Sequence, residues 1–106
     1  MAMIIVKNRR SKMSPGGVIT LPVSARKTLR MEPGRGARVS VAMLNDSISL
    51  RPDTDKSGAR VSPKGQMVLV GEPRNLLENA MLRHYWLELD DEKQTVLLYP
   101  FADQQA

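Results

Sequence analysis

The sequence has no cysteine, one histidine and only four aromatic residues, all four of them in its second half. Without cysteine, disulfides and thiolate metal sites are excluded, and the composition is compatible with a reducing cytosol. No apolar run approaches the roughly 20 residues that a transmembrane helix needs. The opening six residues are too short for the apolar core of a signal peptide, so they read as a strand or as an expression remnant.

Residues suited to catalysis are equally scarce. The single histidine, His84, stands beside Tyr85 and Trp86, where a structural role is expected. Four acids, residues 90–92 and Asp103, lie in or near the second hairpin and the tail. The three consecutive acids lie in a predicted loop, where we expect them to be solvated. A calcium loop would need spaced oxygen ligands and a flexing glycine, and a phosphate loop would need a longer glycine-rich motif. We therefore expect no enzyme activity, no metal site and no cofactor.

What the chain does contain is an internal repeat. Placed above Val61–Pro100 without gaps, the segment Met13–Pro52 matches it at a constant offset of 48 residues. The identical pairs include Ser14/Ser62, Pro15/Pro63, Gly17/Gly65, Leu21/Leu69, Arg26/Arg74, Leu29/Leu77, Leu50/Leu98 and Pro52/Pro100. A unit of about 40 residues is near the lower limit for an independent core. The repeat therefore predicts one pseudo-two-fold body with a shared core.

Each repeat reads as a strand, a short helix and a hairpin. We divide the 106 residues into a first repeat with a basic arm (1–53), a linker (54–60), a second repeat (61–100) and a short tail (101–106). The predicted short strands are Val18–Leu21 and Met67–Val70, the helices are Val23–Leu29 and Pro73–Met81, and the hairpins are Ala37–Leu44 with Ser47–Arg51 and Tyr85–Leu89 with Thr95–Tyr99.

Charge separates the two repeats. The net charge of +5 consists of +7 in residues 1–53 and −2 in residues 54–106. A basic half favours a polyanionic partner, most simply nucleic acid, although a solvated surface has the same composition. Arginine can fork onto phosphate or guanine, or it can brace a fold through carbonyl groups or an acid. Both roles stay open for Arg74, which has Glu72 and Glu78 nearby. For Arg26, which has no acid before Glu32, DNA is favoured.

The motifs resemble a known family. Residues Val61–Leu69 match the "V-S-x-K-G-Q-hydrophobic" opening of the AbrB/SpoVT/MazE swapped-hairpin DNA-binding domains, and Ser14–Pro22 resemble the same opening. The first copy continues with "P-x-x-hydrophobic-R-x-x-L" over Pro22–Leu29, a Pro-Gly turn at 33–34 and "V-x-V" at 39–41. The likeness covers about 90 residues in two copies, an arrangement known in the MraZ group.

The resemblance implies a mainly β fold with short helices, a swapped-hairpin (double-split) β-barrel formed within one chain as an intramolecular pseudo-dimer of the two repeats. It implies a bacterial or archaeal, cytoplasmic and nucleoid-associated regulator that binds specific double-stranded DNA sequences. The alternative is the antitoxin of a toxin–antitoxin pair, which binds its operator and a protein toxin. The candidate DNA-binding residues are Lys7, Arg9, Arg10, Lys12, Arg26, Lys27, Arg60, Lys64 and Arg74.

The two copies differ where the family carries polar residues. Gly16 and Val18 replace the usual lysine and glutamine or arginine, whereas the second copy keeps Lys64 and Gln66. The second hairpin also carries apolar residues, Trp86, Leu97 and Tyr99, through which we expect any self-association to occur. Monomer, dimer and ring all stay open at this point.

Overall fold

The structure is a computed structural model that describes residues 3–6, 11–53, 58–79 and 83–100. It is mainly β with two short helices, as the sequence predicts. The strands are β1 (Met3–Val6), β2 (Val18–Thr20), β3 (Ala37–Leu44), β4 (Ser47–Pro52), β5 (Ala59–Val61), β6 (Gln66–Val68), β7 (Tyr85–Asp90) and β8 (Thr95–Pro100). The helices are α1 (Val23–Thr28) and α2 (Gly71–Glu78).

Both predicted hairpins, both helices and the opening strand are present. The helix α2 begins two residues earlier than predicted, so that Pro73 lies inside the first turn rather than at its start. Proline is tolerated there because the first-turn N–H groups have no partner within the helix. One strand was missed: residues Ala59 and Arg60, which we assigned to the linker, belong to β5 and pair with β3.

The strands form two antiparallel sheets. One has six strands in the order β1-β7-β8-β4-β3-β5, and the other pairs β2 with β6. The described strands do not close into a ring, so the predicted closed barrel is not what this structure contains.

Strand pairing links the two repeats at equivalent positions. In the small sheet Ile19 lies opposite Met67, and these two residues are 48 apart. Where the hairpins meet, Ser49 lies opposite Leu97, again 48 apart. In each of these two strand pairs, replacing every residue by its counterpart in the other repeat gives the same pairing again.

The buried side chains of both repeats belong to one cluster. Ile19 and Met67 are at most 2% exposed and lie at the centre of the small sheet. The large sheet, the helices and the segments next to them complete the cluster with Met13, Leu21, Ala25, Leu29, Val39, Ile48, Leu50, Val61, Leu69, Leu77, Tyr85, Leu87, Leu89, Val96 and Leu98. This core fixes the helices and the turns before β2 and β6 relative to each other.

Candidate nucleic-acid interface

Two turns of the same construction precede β2 and β6. We call Ser14–Gly17 turn A and Ser62–Gly65 turn B. In each, the serine hydroxyl oxygen accepts a hydrogen bond from the backbone N–H four residues later, at 3.0 Å in turn A and 3.1 Å in turn B. The glycine that ends each turn has a φ near +88°, a region that favours glycine.

Each turn is held by the other repeat. The carbonyl oxygen of Gly65 accepts a hydrogen bond from the N–H of Leu21 at 2.8 Å, and Gly17 accepts one from Leu69 at the same distance. Leu21 leads into α1, and Leu69 leads into α2. Turn B of the second repeat therefore lies beside α1 of the first repeat, and turn A lies beside α2.

The helix arginines fasten this exchange. Arg26 donates from Nε to the carbonyl oxygen of Leu21 at 3.1 Å and from Nη1 to that of Pro63 in turn B at 3.3 Å. Arg74 donates from Nη2 to the carbonyl oxygen of Pro15 in turn A at 3.0 Å, and its Nε lies 3.6 Å from Glu78 Oε2. Both arginines therefore brace the fold, as considered above. The carbonyl acceptor in the opposite turn is 37 residues away in sequence for Arg26 and 59 residues away for Arg74.

The two composite sites differ sharply in charge. Beside Arg26, the turn B–α1 site presents two exposed lysines, Lys64 from the turn and Lys27 from the helix. At the turn A–α2 site the equivalent positions hold Gly16 and Asn75, and α2 carries two acids, 72 and 78. Lys27 of the first repeat and Lys64 of the second therefore lie together at the turn B–α1 site, whereas the equivalent turn A–α2 site has no lysine at these positions.

Further residues extend the turn B–α1 site. Arg60 is exposed on β5, two residues before turn B. A shallow groove beside the turn is lined by Arg38, Arg60 and residues 61–63, among others. Gln66, the exposed first residue of β6, follows the turn directly and was missing from the candidate list, although the motif "S-x-K-G-Q" already contained it.

The remaining candidates lie elsewhere or outside the described residues. Lys12 is exposed and forms an isolated β-bridge with His84, whose Nδ1 lies 3.2 Å from the carbonyl oxygen of Ser11. Lys7, Arg9 and Arg10 fall outside the part of the chain that the structure describes, as does the tail.

The acidic loop has a structural role that the sequence did not predict. Asp90 is 7% exposed, and its Oδ1 accepts a hydrogen bond from the N–H of Lys93 at 3.1 Å. Asp91 Oδ1 accepts a 2.6 Å hydrogen bond from the hydroxyl of Thr28, which is itself 2% exposed. The expectation that these acids are merely solvated is therefore wrong for Asp90 and Asp91, because they tie the β7–β8 turn to itself and to α1.

The apolar residues of the second hairpin do share a surface. Trp86 and Tyr99 lie opposite each other on β7 and β8, and their rings stack at 4.3 Å with 14° between the planes. Tyr99 donates its hydroxyl to Glu88 Oε1 at 3.2 Å, and Leu97 lies opposite Glu88. Burial, reinforced by Glu88, raises the pKa of Tyr99 above its ordinary value. All four are partly exposed.

No family model, curated protein or solved structure among those compared matches this chain. The family resemblance therefore rests on the motifs of the sequence. Within the described segments, no helix is long and apolar enough to cross a membrane, and no three His, Cys, Asp or Glu side chains are grouped as a metal site would require.

Proposed function

We propose that this protein is a DNA-binding transcriptional regulator of the AbrB type, which contacts duplex DNA through the turn B–α1 site. The observation that carries the proposal is the exchange between repeats. It brings Lys64 of the second copy beside Arg26 and Lys27 of the first. The equivalent site, made by turn A and α2, has no lysine at these positions and carries two acids.

In this proposal the two lysines and Arg60 contact phosphates. Such contacts release counterions and make affinity strongly dependent on salt. Arg26 has a positioning role instead, because its Nε and Nη1 donate to carbonyl oxygens. These bonds hold turn B against α1 and so keep Lys64 next to Lys27. Gln66 is the candidate for contact with base edges, because an amide can both donate and accept there.

We further propose that the two repeats form the swapped-hairpin arrangement as an intramolecular pseudo-dimer, with the two sheets in place of a closed barrel. Support comes from the pairs Ile19–Met67 and Ser49–Leu97, each of which joins a residue to its own counterpart. An isologous dimer has this property at its two-fold axis.

The test is fluorescence anisotropy on duplex DNA across a salt series. The double variant Lys27→Ala/Lys64→Ala removes two phosphate contacts and should lower the slope of log K against log salt by about 2. The matched control, Gly16→Ala/Asn75→Ala, changes the equivalent positions of the turn A–α2 site and should leave the slope unchanged. The proposal would be overturned if the two double variants changed the slope equally, or if the wild type showed no salt-dependent binding.

The antitoxin alternative draws on a different surface. The stacked Trp86 and Tyr99, bordered by Glu88, offer a partly exposed apolar patch with an acidic rim, and such a patch suits a basic protein partner. A small toxin-like reading frame next to the gene, with a product that binds wild type but not the Trp86→Ala variant, would favour this function.

A further inference from the structure

Two arginines lie directly opposite each other where β3 pairs with β5. Arg38 is the partner of Arg60 in this antiparallel pair. The carbonyl oxygen of Arg38 accepts a hydrogen bond from the N–H of Asp53 on the β4 side, so the backbone groups of Arg38 are directed away from β5. In such a non-hydrogen-bonded pair the Cα atoms are only about 4.5 Å apart, and both side chains lie on the same face of the sheet. The fold therefore places two positive side chains next to each other.

This arrangement is unfavourable for the fold alone. Like charges at directly opposite positions destabilise a strand pair, and a guanidinium group keeps its charge at physiological pH. Among the residues that the structure describes, no carboxylate forms a hydrogen bond or an ion pair with Arg38 or Arg60. Local conflicts of this kind are expected at functional sites. An anion bound between the two arginines would replace their repulsion by attraction.

Both arginines have N–H groups to offer such an anion. Arg38 donates from Nη1 to the carbonyl oxygen of Gly58 at 3.0 Å, which leaves the other N–H groups of its guanidinium available. Arg60 is exposed, and none of the hydrogen bonds between described residues involves its side chain. The planar fork of N–H groups in a guanidinium matches the oxygen atoms of a phosphate.

The two arginines line a shared groove that reaches turn B. Its other lining residues are Gly36, Ala37 and 61–63, so the described lining contains no carboxylate. The Oγ atom of Ser62 accepts hydrogen bonds from the backbone N–H groups of Lys64 at 3.3 Å and Gln66 at 3.1 Å. Because both bonds use this hydroxyl as an acceptor, its hydrogen is available as a donor to an anion.

The equivalent place in the second repeat has a different composition. The counterparts of Arg38 and Arg60, at the offset of 48 residues, are Trp86 and Lys12. Lys12 lies opposite His84 in an isolated bridge, and Trp86 stacks on Tyr99. The repeated fold therefore does not require paired arginines at this position, and the pair is specific to the turn B side.

We propose that Arg38, Arg60 and the hydroxyl of Ser62 form a binding site for a phosphate group. If the proposed function is correct, a phosphate of the DNA backbone occupies this site, next to the phosphate that Lys64 contacts. A free phosphate ion or a phosphorylated small molecule offers the same chemistry. Only the DNA source rests on the proposed function. The proposal adds Arg38, which the sequence motifs did not indicate, to the residues that contact the ligand.

Phosphate binding is tested on the isotopically labelled protein without DNA. Inorganic phosphate is titrated against chloride at constant ionic strength and pH, and saturable shifts of the backbone amide signals are expected at residues 36–38 and 60–63. Arg38→Gln and Arg60→Gln should each weaken the affinity about tenfold or more, because each variant loses charge-assisted hydrogen bonds. The matched control, Lys12→Gln, removes one charge at the counterpart of Arg60 and should leave the affinity unchanged.

Two results of this titration would overturn the proposal. One is the absence of saturable shifts at these residues in the wild type. The other is an affinity that stays the same in both arginine variants, since the anion would then bind elsewhere.

A charge reversal separates loss of the site from loss of the fold. Arg60→Glu places opposite charges face to face, so it should raise the melting temperature in phosphate-free buffer by about 2–5 °C. The same variant should no longer bind phosphate. A melting temperature below that of the wild type would contradict the repulsion on which the proposal depends.

Fluorescence anisotropy with duplex DNA in phosphate-free buffer distinguishes the sources of the phosphate. If Arg38→Gln lowers the slope of log K against log salt by about 1, the site holds a phosphate of the DNA backbone. An unchanged slope in this variant, together with its loss of phosphate binding, assigns the site to free phosphate or a phosphorylated small molecule. A wild type that binds inorganic phosphate but no DNA would overturn the proposed function and support the phosphate site.

Discussion

Replacing Gly65 with alanine tests the exchange of turns between repeats. A Cβ atom at this position would lie 2.5 Å from the carbonyl oxygen of Leu21 and 2.9 Å from Nε of Arg26. Gly65 also has a φ of +88°, which costs a residue with a side chain about 1–2 kcal/mol. The substitution therefore strains the backbone and disturbs the contacts that hold turn B against α1.

The loss of stability in Gly65→Ala can be estimated from the backbone strain and the weakened hydrogen bonds. The Leu21 N–H bond to Gly65 and the two Arg26 bonds are worth about 1 kcal/mol each, and partial loss of them adds to the backbone strain. We expect Gly65→Ala to lower the free energy of unfolding by about 3 kcal/mol, enough to lower the melting temperature by about 12 °C or more.

The matched control is Gly34→Ala. Gly34 also has a positive φ, +77°, but a Cβ atom there meets no atom within 4 Å. Chemical denaturation followed by Trp86 fluorescence should give about 1–2 kcal/mol for this variant, the backbone strain alone. If both variants cost the same within about 0.5 kcal/mol, a typical margin for such comparisons, then the close packing of turn B against α1 is refuted.

Three further predictions concern the contacts of individual side chains. Arg26→Ala should lower the free energy of unfolding by about 1–3 kcal/mol because two carbonyl acceptors lose their donor, whereas Lys27→Ala should leave it unchanged; equal denaturation midpoints would contradict the bracing role. Thr28→Val should cost about 1–3 kcal/mol by leaving Asp91 without its buried donor, and a midpoint equal to that of wild type would disprove this. Burial raises the pKa of Tyr85, whose hydroxyl donates to Thr20 at 3.2 Å, so the unfolded chain releases this proton first and stability should fall as pH rises past about 10. The fall should be smaller in Tyr85→Phe, as denaturation at pH values on either side of that range can show.

The repeat made much of the fold predictable. The offset of 48 residues places two strand–helix–hairpin units in order, and the bounds of both hairpins agree with the structure within a residue or so. The strand β5 was missed because Ala59 and Arg60 follow a glycine and a polar stretch that is typical of a linker. Its partner is β3, some twenty residues earlier, and no local pattern indicates that pairing.

The candidate site was predictable only in part. The sequence indicated Lys27 and Lys64 as basic residues of two separate copies, but local patterns do not reveal that turn B lies beside α1. Arg26 appeared free for DNA because no acid is near it in sequence. Its acceptors are backbone carbonyl oxygens, one of them at Pro63, and carbonyl groups leave no signature in a sequence.

The measurement that tests the central claim most directly is a titration of the isotopically labelled protein with duplex DNA, followed by backbone amide NMR. The proposed function predicts that the shifted signals cluster on residues 62–66 and on α1, while turn A and α2 change little. Equal changes at the two composite sites, or changes confined to the outer face around Trp86 and Tyr99, would contradict it.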